Sequence, residues 1–215
     1  LLRTDLISSW QQVTPADAPD RFVINIQPEQ GDNFQQALKQ AGVQDFDWYP
    51  MIRGRLVEVN GQAIGSENYT DERAKRLIDR EFNLSNSPNL PAANQLVGGR
   101  WQDEESGTVS VEDGIAKTLN LRLNDKLTFD VAGIKTTSTI TSLRKVDWGS
   151  MRANFFVIYP VANLPDVPRT FMSAFKAPST SGFDNQLVAQ FPNITQVDTA
   201  STVAQIQRVI NQVIG

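Results

Sequence analysis

The stretch RFVINIQPEQGDNFQQALKQAGVQDFDWYPMIRGRLVEVNG, residues 21–61, decides the fold of this chain. Apolar and polar residues alternate from Arg21 to Gln27, which is the pattern of a β-strand. Helical spacing follows from about residue 32 to Gln40, and Gly42 is the expected stop. A second strand region runs from Trp48 to the hairpin dipeptide Asn60-Gly61. The order strand, helix, strand indicates one βαβ-like unit.

The remaining sequence mixes short helices and short strands. A charged helix is predicted at 71–82, and the Asn-, Ser- and Pro-rich segment 83–94 is predicted to be a loop or domain boundary. Ser110 is expected to cap a helix that ends near residue 120. Gly98-Gly99 inside a predicted strand indicates a bulge or a close backbone approach. This mixture predicts the α+β class. The other predicted strands are 95–101, 126–131, 135–146, 154–159, 170–176 and 193–197, with a helix at 184–190.

Both ends of the chain carry apolar residues at helical spacing. At the start the stripe is Leu2, Leu6, Trp10 and Val13, and at the end it is Val203, Ile206, Ile210 and Val213. Steps of three and four place such residues on one narrow face, which suits the pairing of one helix with another. We therefore expect the chain to be an insert whose two terminal helices lie side by side and lead into segments outside this sequence.

Composition excludes several classes of function. The chain has 40% hydrophobic and 20% charged residues, as expected for a folded protein, and its net charge of −4 provides no basic surface for nucleic acid. Cysteine and histidine are both absent, which removes thiolate nucleophiles, disulfides, Ser-His-Asp triads and most transition-metal sites. Apolar runs reach only about half a dozen residues, against roughly 20 for a membrane span.

The acidic clusters do not match a metal-site motif. They are Asp45 with Asp47, Asp71 with Glu72, and Asp103 with Glu104 and Glu105. Because the glycine and terminal glutamate of a calcium loop are missing, we expect solvated loops. Neither a GxxxxGK nor a GxGxxG phosphate loop occurs in the sequence. We therefore predict no catalytic, metal or cofactor-binding residues here.

Several motifs spread along the chain point to a known family. They are WYPMIRGRL at 48–56 with VNG at 59–61, GRW at 99–101 with VSV at 109–111 and GIA at 114–116, SLRKVDW at 142–148 with SMRANFF at 150–156, and PNI at 192–194 with VD at 197–198. These motifs resemble the extracytoplasmic domain of FtsX-like ABC transporter permeases, the class that includes the macrolide exporter and the lipoprotein-releasing permeases. The resemblance is greatest to the large permeases of the type called YbbP, and within them to the first of two periplasmic domains.

The resemblance implies an architecture, a location and partners. It implies a βαβ-like Porter-type subdomain formed by 1–88 and 160–215, and a mostly β Sabre-type subdomain at 89–159. The chain would be a periplasmic domain of a bacterial inner-membrane protein. Expected partners are the cognate ABC ATPase, a separate cytoplasmic subunit that would bind the ATP, and another periplasmic domain of the same or a second permease. A periplasmic lysophospholipase or thioesterase is a further possible partner, and nucleic acid is not expected.

Two groups of residues are candidates for function. Leu6, Trp10, Ile206, Ile210 and Val213 are predicted to form a stalk that transmits movement from the membrane, or alternatively to dock on this domain. Trp148, Met151 and Arg152 are predicted to contact a partner or a lipid-like substrate, although Trp148 at a strand end can equally be a core anchor. Arg53 and Arg55 share one strand face, which can bind an anionic head group but is more commonly solvated.

Three functions are thus compared. The first is a non-catalytic permease domain that couples cytoplasmic ATP hydrolysis to the extraction or export of a hydrophobic compound. The second is a freestanding periplasmic ligand-binding or adaptor module with two lobes. The third, an enzyme using carboxylates or a Ser-Lys pair, has the least support, since the usual catalytic residues are missing.

Overall fold

The computed structural model describes residues 17–199 of the 215-residue chain and contains two compact units. Unit 1 comprises 17–48, Asp147–Ala153 and 170–199, and unit 2 comprises Tyr49–Val146 and Asn154–Arg169. The strands are β1 (Arg21–Ile26), β2 (Phe46–Val59), β3 (Gln62–Ala63), β4 (Phe82–Asn86), β5 (Asn94–Gly99), β6 (Thr108–Glu112), β7 (Lys126–Val131), β8 (Ile134–Val146), β9 (Val157–Tyr159), β10 (Thr170–Phe175) and β11 (Thr195–Asp198). The helices are α1 (Gly31–Gln40), α2 (Glu72–Ile78), α3 (Asp113–Leu119) and α4 (Phe183–Gln190).

Unit 1 is built around strand β1. This strand pairs antiparallel with β10 on one side and with β11 on the other, so that Arg21 lies opposite both Phe175 and Asp198. Its inward residues Val23 and Ile26 are fully buried. Helices α1 and α4 contribute apolar side chains to the same core, and the ring of Phe34 lies 5.3 Å from that of Phe191. Val23 and Ile26 are three residues apart, and both face this core because the register of β1 shifts between them, where Asn25 has a positive φ of 66°. The amphipathic spacing of α1 explains why Phe34 and Leu38 pack on the same core.

Unit 2 contains six strands that pair in a closed cycle. β2 pairs with β4, β4 with β9, β9 with β6, β6 with β8, β8 with β7, and β7 again with β2. The β4–β9 and β6–β8 pairs are parallel, and the other four are antiparallel. Each of the six strands therefore has a neighbour on both sides, which is the arrangement of a small β-barrel. Strand β3 extends β2, and β5 extends β8.

Helices α2 and α3 contribute side chains to the core of unit 2. Asp71 caps α2 by accepting a hydrogen bond from the Ala74 amide at 3.0 Å, and Leu77 and Ile78 are buried. Glu112 caps α3 through the amides of Gly114 and Ile115 at 2.7 and 2.8 Å. A side-chain oxygen at the first position of a helix satisfies amides that have no partner within the helix. No helix within residues 17–199 is long and apolar enough to cross a membrane.

The structure confirms the α+β class and most of the predicted elements. Strand β1, helix α1 and strand β2 begin and end within two residues of their predicted bounds, and Asn60 and Gly61 both have positive φ at the predicted hairpin. The register of β5 against β8 shifts between Leu96 and Gly98, which confirms the predicted bulge. The predicted bounds of the Porter-type and Sabre-type subdomains, 1–88 with 160–215 and 89–159, stay a prediction. The two compact units divide the chain at other residues.

Three local predictions are wrong. Helix α2 ends at Ile78 rather than Phe82, because Phe82 begins strand β4. The segment 83–94 is therefore not wholly a loop. Strand β4 extends to Asn86 and pairs with β2 and with β9. Ser110 lies inside buried strand β6, and Glu112 is the cap of α3 instead.

Candidate functional site

A cavity of about 320 Å³ lies at one end of the six-stranded barrel of unit 2. Its barrel wall consists of Ile52 of β2, Leu84 of β4, Val131 of β7, Tyr159 of β9 and three alternate residues of β8. Those three are Ile134, Thr136 and Ser138, which face the same side because side chains alternate along a strand. Strand pairing thus brings together residues that are up to 107 positions apart in the sequence, from Ile52 to Tyr159.

The segment Leu164 to Pro168, which we call the strap, completes the wall of the cavity. It follows β9 and contains two prolines, Pro165 and Pro168, with Asp166 between them at a positive φ of 59°. The Arg169 side chain holds the strap by donating hydrogen bonds to the carbonyl oxygens of Leu164 and Val167. Prolines and a guanidinium clamp both restrict backbone freedom, so the strap is fixed before a ligand arrives.

The approach to the strap is also anchored within unit 2. The side-chain amide of Asn86 donates to the carbonyl oxygens of Val161 and Ala162 at 3.1 and 3.0 Å. The Glu104 carboxylate accepts a hydrogen bond from the Ala162 amide at 2.8 Å. These contacts connect the turn after β9 to strand β4 and to the loop before β6.

The cavity surface is mainly apolar, with its polar groups in two places. Deep in the wall, burial raises the pKa of the Tyr159 hydroxyl, and a hydrogen bond with Thr136 offsets part of that effect. At the rim, the exposed Asp166 is the one charged side chain among the lining residues that the structure describes. Ile134, which is 62% exposed, also lines the cavity, so the cavity reaches solvent.

The loop 147–153 of unit 1 carries the three residues predicted to contact a partner or substrate. Asp147 accepts a hydrogen bond from the Gly149 amide at 3.1 Å and so starts a short 3₁₀ turn, which Met151 ends with a positive φ of 62°. The turn leaves the Trp148 side chain 52% exposed, while Met151 and Arg152 are half-buried. Trp148 therefore lies at the surface of the described unit rather than in its core.

Arg152 is held by two carboxylates of the same unit. Its guanidinium lies 3.2 Å from Asp47 Oδ1 and 3.4 Å from Asp45 Oδ2, and the Ala153 amide donates to the other oxygen of Asp47 at 2.9 Å. Burial would lower the pKa of Arg152, but Asp47 and Asp45 together raise it. Burial raises the pKa of Asp47, although its hydrogen bonds with Ala153 and Arg152 oppose that shift. The prediction that Asp47 belongs to a solvated loop is wrong, since its side chain is only 10% exposed.

A second arginine, Arg144 of β8, is fully buried in unit 2 and was not predicted as a special residue. Its Nε donates to Ser110 Oγ at 2.7 Å, and its Nη1 donates to Asn94 Oδ1 at 2.7 Å. Its Nη2 donates to the carbonyl oxygens of Phe155 and Phe156 at 2.9 and 3.0 Å. Burial lowers the pKa of Arg144 to about 10, while the charge of Glu112 opposes that shift. Arg144 thus ties three strands of unit 2 to the segment before β9.

The structure describes one of the two groups of predicted site residues. Trp148, Met151 and Arg152 lie together in one loop, and their role as contacts stays a prediction. Leu6, Trp10, Ile206, Ile210 and Val213 lie outside the described residues, and so the prediction of side-by-side terminal helices stays a prediction. Arg53 and Arg55 are both exposed on one face of β2, and Arg55 donates to the Asp79 carbonyl oxygen. Within residues 17–199, no group of three or more acidic side chains is placed to hold a metal ion.

Sequence reasoning did not identify the cavity. A signal was present in the LPDVP sequence of the strap, since two closely spaced prolines indicate a rigid connection. The alternation of Ile134, Thr136 and Ser138 was also visible. Neither pattern indicates which distant strands face it, so the cavity follows only from the strand pairing.

One curated relative agrees with the motifs. The chain is 35% identical over 206 residues to the uncharacterized ABC transporter permease YbbP of Escherichia coli (strain K12), which is 96% of this chain and 25% of that protein. The chain thus spans about a quarter of the length of the curated relative. The crystal structure of the periplasmic region of MacB from Actinobacillus actinomycetemcomitans matches with a TM-score of 0.45 and 9% identity, over 89% of this chain and 94% of that one. No protein-family model matches. The predicted resemblance to an ABC transporter permease of the YbbP type is confirmed.

Proposed function

We propose that this chain is a non-catalytic periplasmic domain of a bacterial inner-membrane ABC transporter permease, and that it couples cytoplasmic ATP hydrolysis to the extraction or export of a hydrophobic compound. The observation that supports this proposal is the 35% identity to the YbbP permease over nearly the whole chain. The absence of cysteine and histidine from the sequence supports the non-catalytic part, because the commonest nucleophiles, bases and metal ligands are missing.

The location can be tested with the chain's own composition. Because the sequence contains no cysteine, a Val97→Cys substitution introduces a single thiol at a side chain that is 49% exposed. In cells that express the full-length permease, a membrane-impermeant maleimide should label this thiol without disruption of the inner membrane. Labelling that requires permeabilised cells would contradict a periplasmic location. A cysteine-free full-length parent provides the background signal.

The coupling part of the proposal assigns a stalk role to the apolar residues at the two chain ends. Replacing Ile206 and Ile210 with Asp should uncouple ATPase activity from transport in the intact complex, because a carboxylate disrupts an apolar helix-to-helix contact. The matched control is Gln207→Asp with Asn211→Asp, which adds the same charge one position further along. ATP turnover and export are measured in the same membranes. Normal coupling in the Ile206 and Ile210 variant would argue against the stalk.

The Trp148 loop is the part of the described structure that we propose for partner or substrate contact. An aromatic ring that is half exposed among polar residues is typical of a contact surface. Trp148→Ser should reduce export by the full-length transporter while the unfolding midpoint of this chain changes little. A large loss of stability in that variant would instead identify Trp148 as a structural anchor. Met151 and Arg152 are proposed to shape the same surface.

The proposed partners follow from the permease assignment. They are the cognate ABC ATPase subunit, a second periplasmic domain, and a periplasmic lysophospholipase or thioesterase. Cross-linking in cells from single thiols in the Trp148 loop would identify a periplasmic partner. Comparing lipid and hydrophobic-toxin export between intact and deletion strains would identify the cargo. If the chain instead acts as a freestanding binding module, deletion of the ATPase gene should leave its cellular role unaltered.

A further inference from the structure

We propose that the cavity at the end of the unit 2 barrel is a binding site for a small cationic amphiphile, with its apolar part inside the barrel and its cationic group beside Asp166. The permease assignment does not supply this site or its ligand class. The inference rests on the volume of the cavity, the chemistry of its wall and the position of the one acidic side chain at its rim.

The volume sets the size of the ligand. A protein cavity of about 150 Å³ holds one benzene molecule. The cavity of about 320 Å³ is about twice that size, so it holds an apolar group of roughly a dozen carbon atoms. It also lies at the lower end of the range of about 300–1,000 Å³ that is typical of small-molecule sites. A decyl chain or a two-ring compound fits, whereas a phospholipid with two long chains does not.

The wall favours an apolar group and is formed in advance. Ile52 and Leu84 at its base are 1% and 0% exposed, so they are fixed by the core of the barrel. On the opposite side, Arg169 fixes the strap through two of its carbonyl oxygens. A pocket whose wall is already ordered loses little conformational entropy when a ligand enters. The mouth of a β-barrel is also a common place for such a site.

The charge at the rim determines which end group is preferred. Asp166 is exposed and lies in the strap between Leu164 and Val167, which both line the cavity. Arg169 directs hydrogen bonds at backbone oxygens of the strap and is not a lining residue. A ligand with a cationic group is therefore attracted at the mouth, and one with a carboxylate is repelled. This preference weakens as the ionic strength rises.

The test uses the 215-residue chain and three probes that share a ten-carbon tail. Decyltrimethylammonium, decanoate and decyl maltoside are titrated below their micelle-forming concentrations by isothermal titration calorimetry at low salt. We expect decyltrimethylammonium to bind at least about fourfold more tightly than decanoate, because attraction of one probe and repulsion of the other both contribute. Methyl NMR shifts should appear at Leu164 and Val167 and not at Val188, an exposed residue of unit 1.

Two variants test the cavity and the charge separately. Val167→Trp places an indole in the cavity and should weaken the binding of all three probes by about tenfold or more. Val97→Trp, the same substitution at an exposed residue outside the cavity, should leave them within about twofold. Asp166→Asn should weaken decyltrimethylammonium by about two- to fivefold and leave decyl maltoside unchanged, which is the range of an exposed ion pair.

A positive charge added at the rim keeps the proposal testable if the Val167→Trp variant misfolds. Ile134 is 62% exposed at the rim, so Ile134→Lys should fold normally. It should weaken the binding of decyltrimethylammonium and strengthen the binding of decanoate, each by about two- to fivefold. Equal affinities for the three probes, or binding that none of these cavity variants alters, would overturn the proposal. The binding measurement needs neither ATP nor the membrane. A negative binding result would therefore contradict this site and not the proposed transport function. A negative result in the transport assays would contradict the proposed function and not this site.

Discussion

Replacing Arg144 with Met should destabilise unit 2 more than any exposed substitution, because this guanidinium satisfies several buried oxygens at once. Arg144 is 0% exposed and donates to Ser110, Asn94 and the carbonyl oxygens of Phe155 and Phe156. Methionine retains much of the apolar stem but donates no hydrogen bond. The Phe155 carbonyl oxygen and the buried Ser110 Oγ would then lose this donor. The Phe156 carbonyl oxygen would keep the hydrogen bond that it accepts from the Glu112 amide at 2.8 Å.

The magnitude follows from two opposing effects. A buried acceptor left without a donor costs about 1–3 kcal/mol, so the Phe155 carbonyl oxygen and Ser110 Oγ together account for about 2–6 kcal/mol. Removing the charge also recovers part of the desolvation cost that lowers the pKa of Arg144 to about 10. We therefore expect a net loss of about 2–4 kcal/mol in the free energy of unfolding. Arg144→Lys should lose at least as much, because an ammonium remains buried without the planar set of five donors.

The assay is urea unfolding followed by far-ultraviolet circular dichroism and by the NMR signals of unit 2. Arg53→Met, an exposed change on β2, is the matched control and should shift the midpoint little. The pH dependence gives a second readout. From about pH 10 upward, the unfolded chain binds the Arg144 proton more tightly than the folded chain does, because burial lowers the pKa of Arg144. Stability of the native protein relative to Arg144→Met should therefore rise with pH in that range and be constant below it.

A lysine variant as stable as the native protein would refute this reasoning, because one ammonium group cannot reach acceptors that lie on three sides of the guanidinium. Near-native stability of Arg144→Met would refute it as well, and would mean that the Phe155 carbonyl oxygen and Ser110 Oγ bind water instead. A loss confined to the Arg144 variants and absent from Arg53→Met would support the network as the cause.

Two further predictions concern the backbone and an ion pair. Gly99→Ala should cost about 2–5 kcal/mol of unfolding free energy, since a Cβ there lies 2.1 Å from the Thr141 carbonyl oxygen at a φ of +69°. Gly133→Ala, at a φ of +87° with open space around it, should cost only the left-handed strain of about 1–2 kcal/mol; equal losses would contradict the steric argument. The hydrogen bond from Arg21 lowers the pKa of Asp184 below its ordinary value of 3.8, so Asp184→Asn should cost under about 1 kcal/mol at neutral pH. That difference should vanish in urea titrations as the pH falls through the folded-state pKa, and a difference that persists in acid would contradict the ion pair.

Local patterns were sufficient for the elements whose cause is local. The extent of strand β1 was predictable from alternation, but the register shift that buries Val23 together with Ile26 was not. The turn after β2 was predictable from Asn60-Gly61, because only residues tolerant of positive φ suit that hairpin. Strand β4 was missed because Ser85 and Asn86 have polar side chains. They are buried because Ser85 donates to the Pro50 carbonyl oxygen and Asn86 to that of Val161. Those partners lie 35 and 75 positions away, so no pattern within the segment could indicate them.

The cavity is a stronger example of the same limit. Each strand that forms it reads as an ordinary strand, and its position follows from a cycle of six pairings that join distant segments. Two of those pairings are parallel, and parallel strands are necessarily connected through other elements. The sequence therefore shows the residues of the site, but it does not show that they meet at one end of the barrel.

The loop of Trp148 shows what the structure adds to a predicted group of contact residues. The sequence placed Trp148, Met151 and Arg152 together as contacts, and all three lie in one loop of unit 1. The guanidinium of Arg152, however, already lies on Asp47, whose side chain is 10% exposed, so a partner that takes Arg152 must leave a buried carboxylate without its cation. Trp148 is the more accessible of the two residues, since 52% of it faces solvent. A contact through this loop is therefore expected to depend on the Trp148 ring and to use Arg152 mainly as the support that fixes the loop on strand β2.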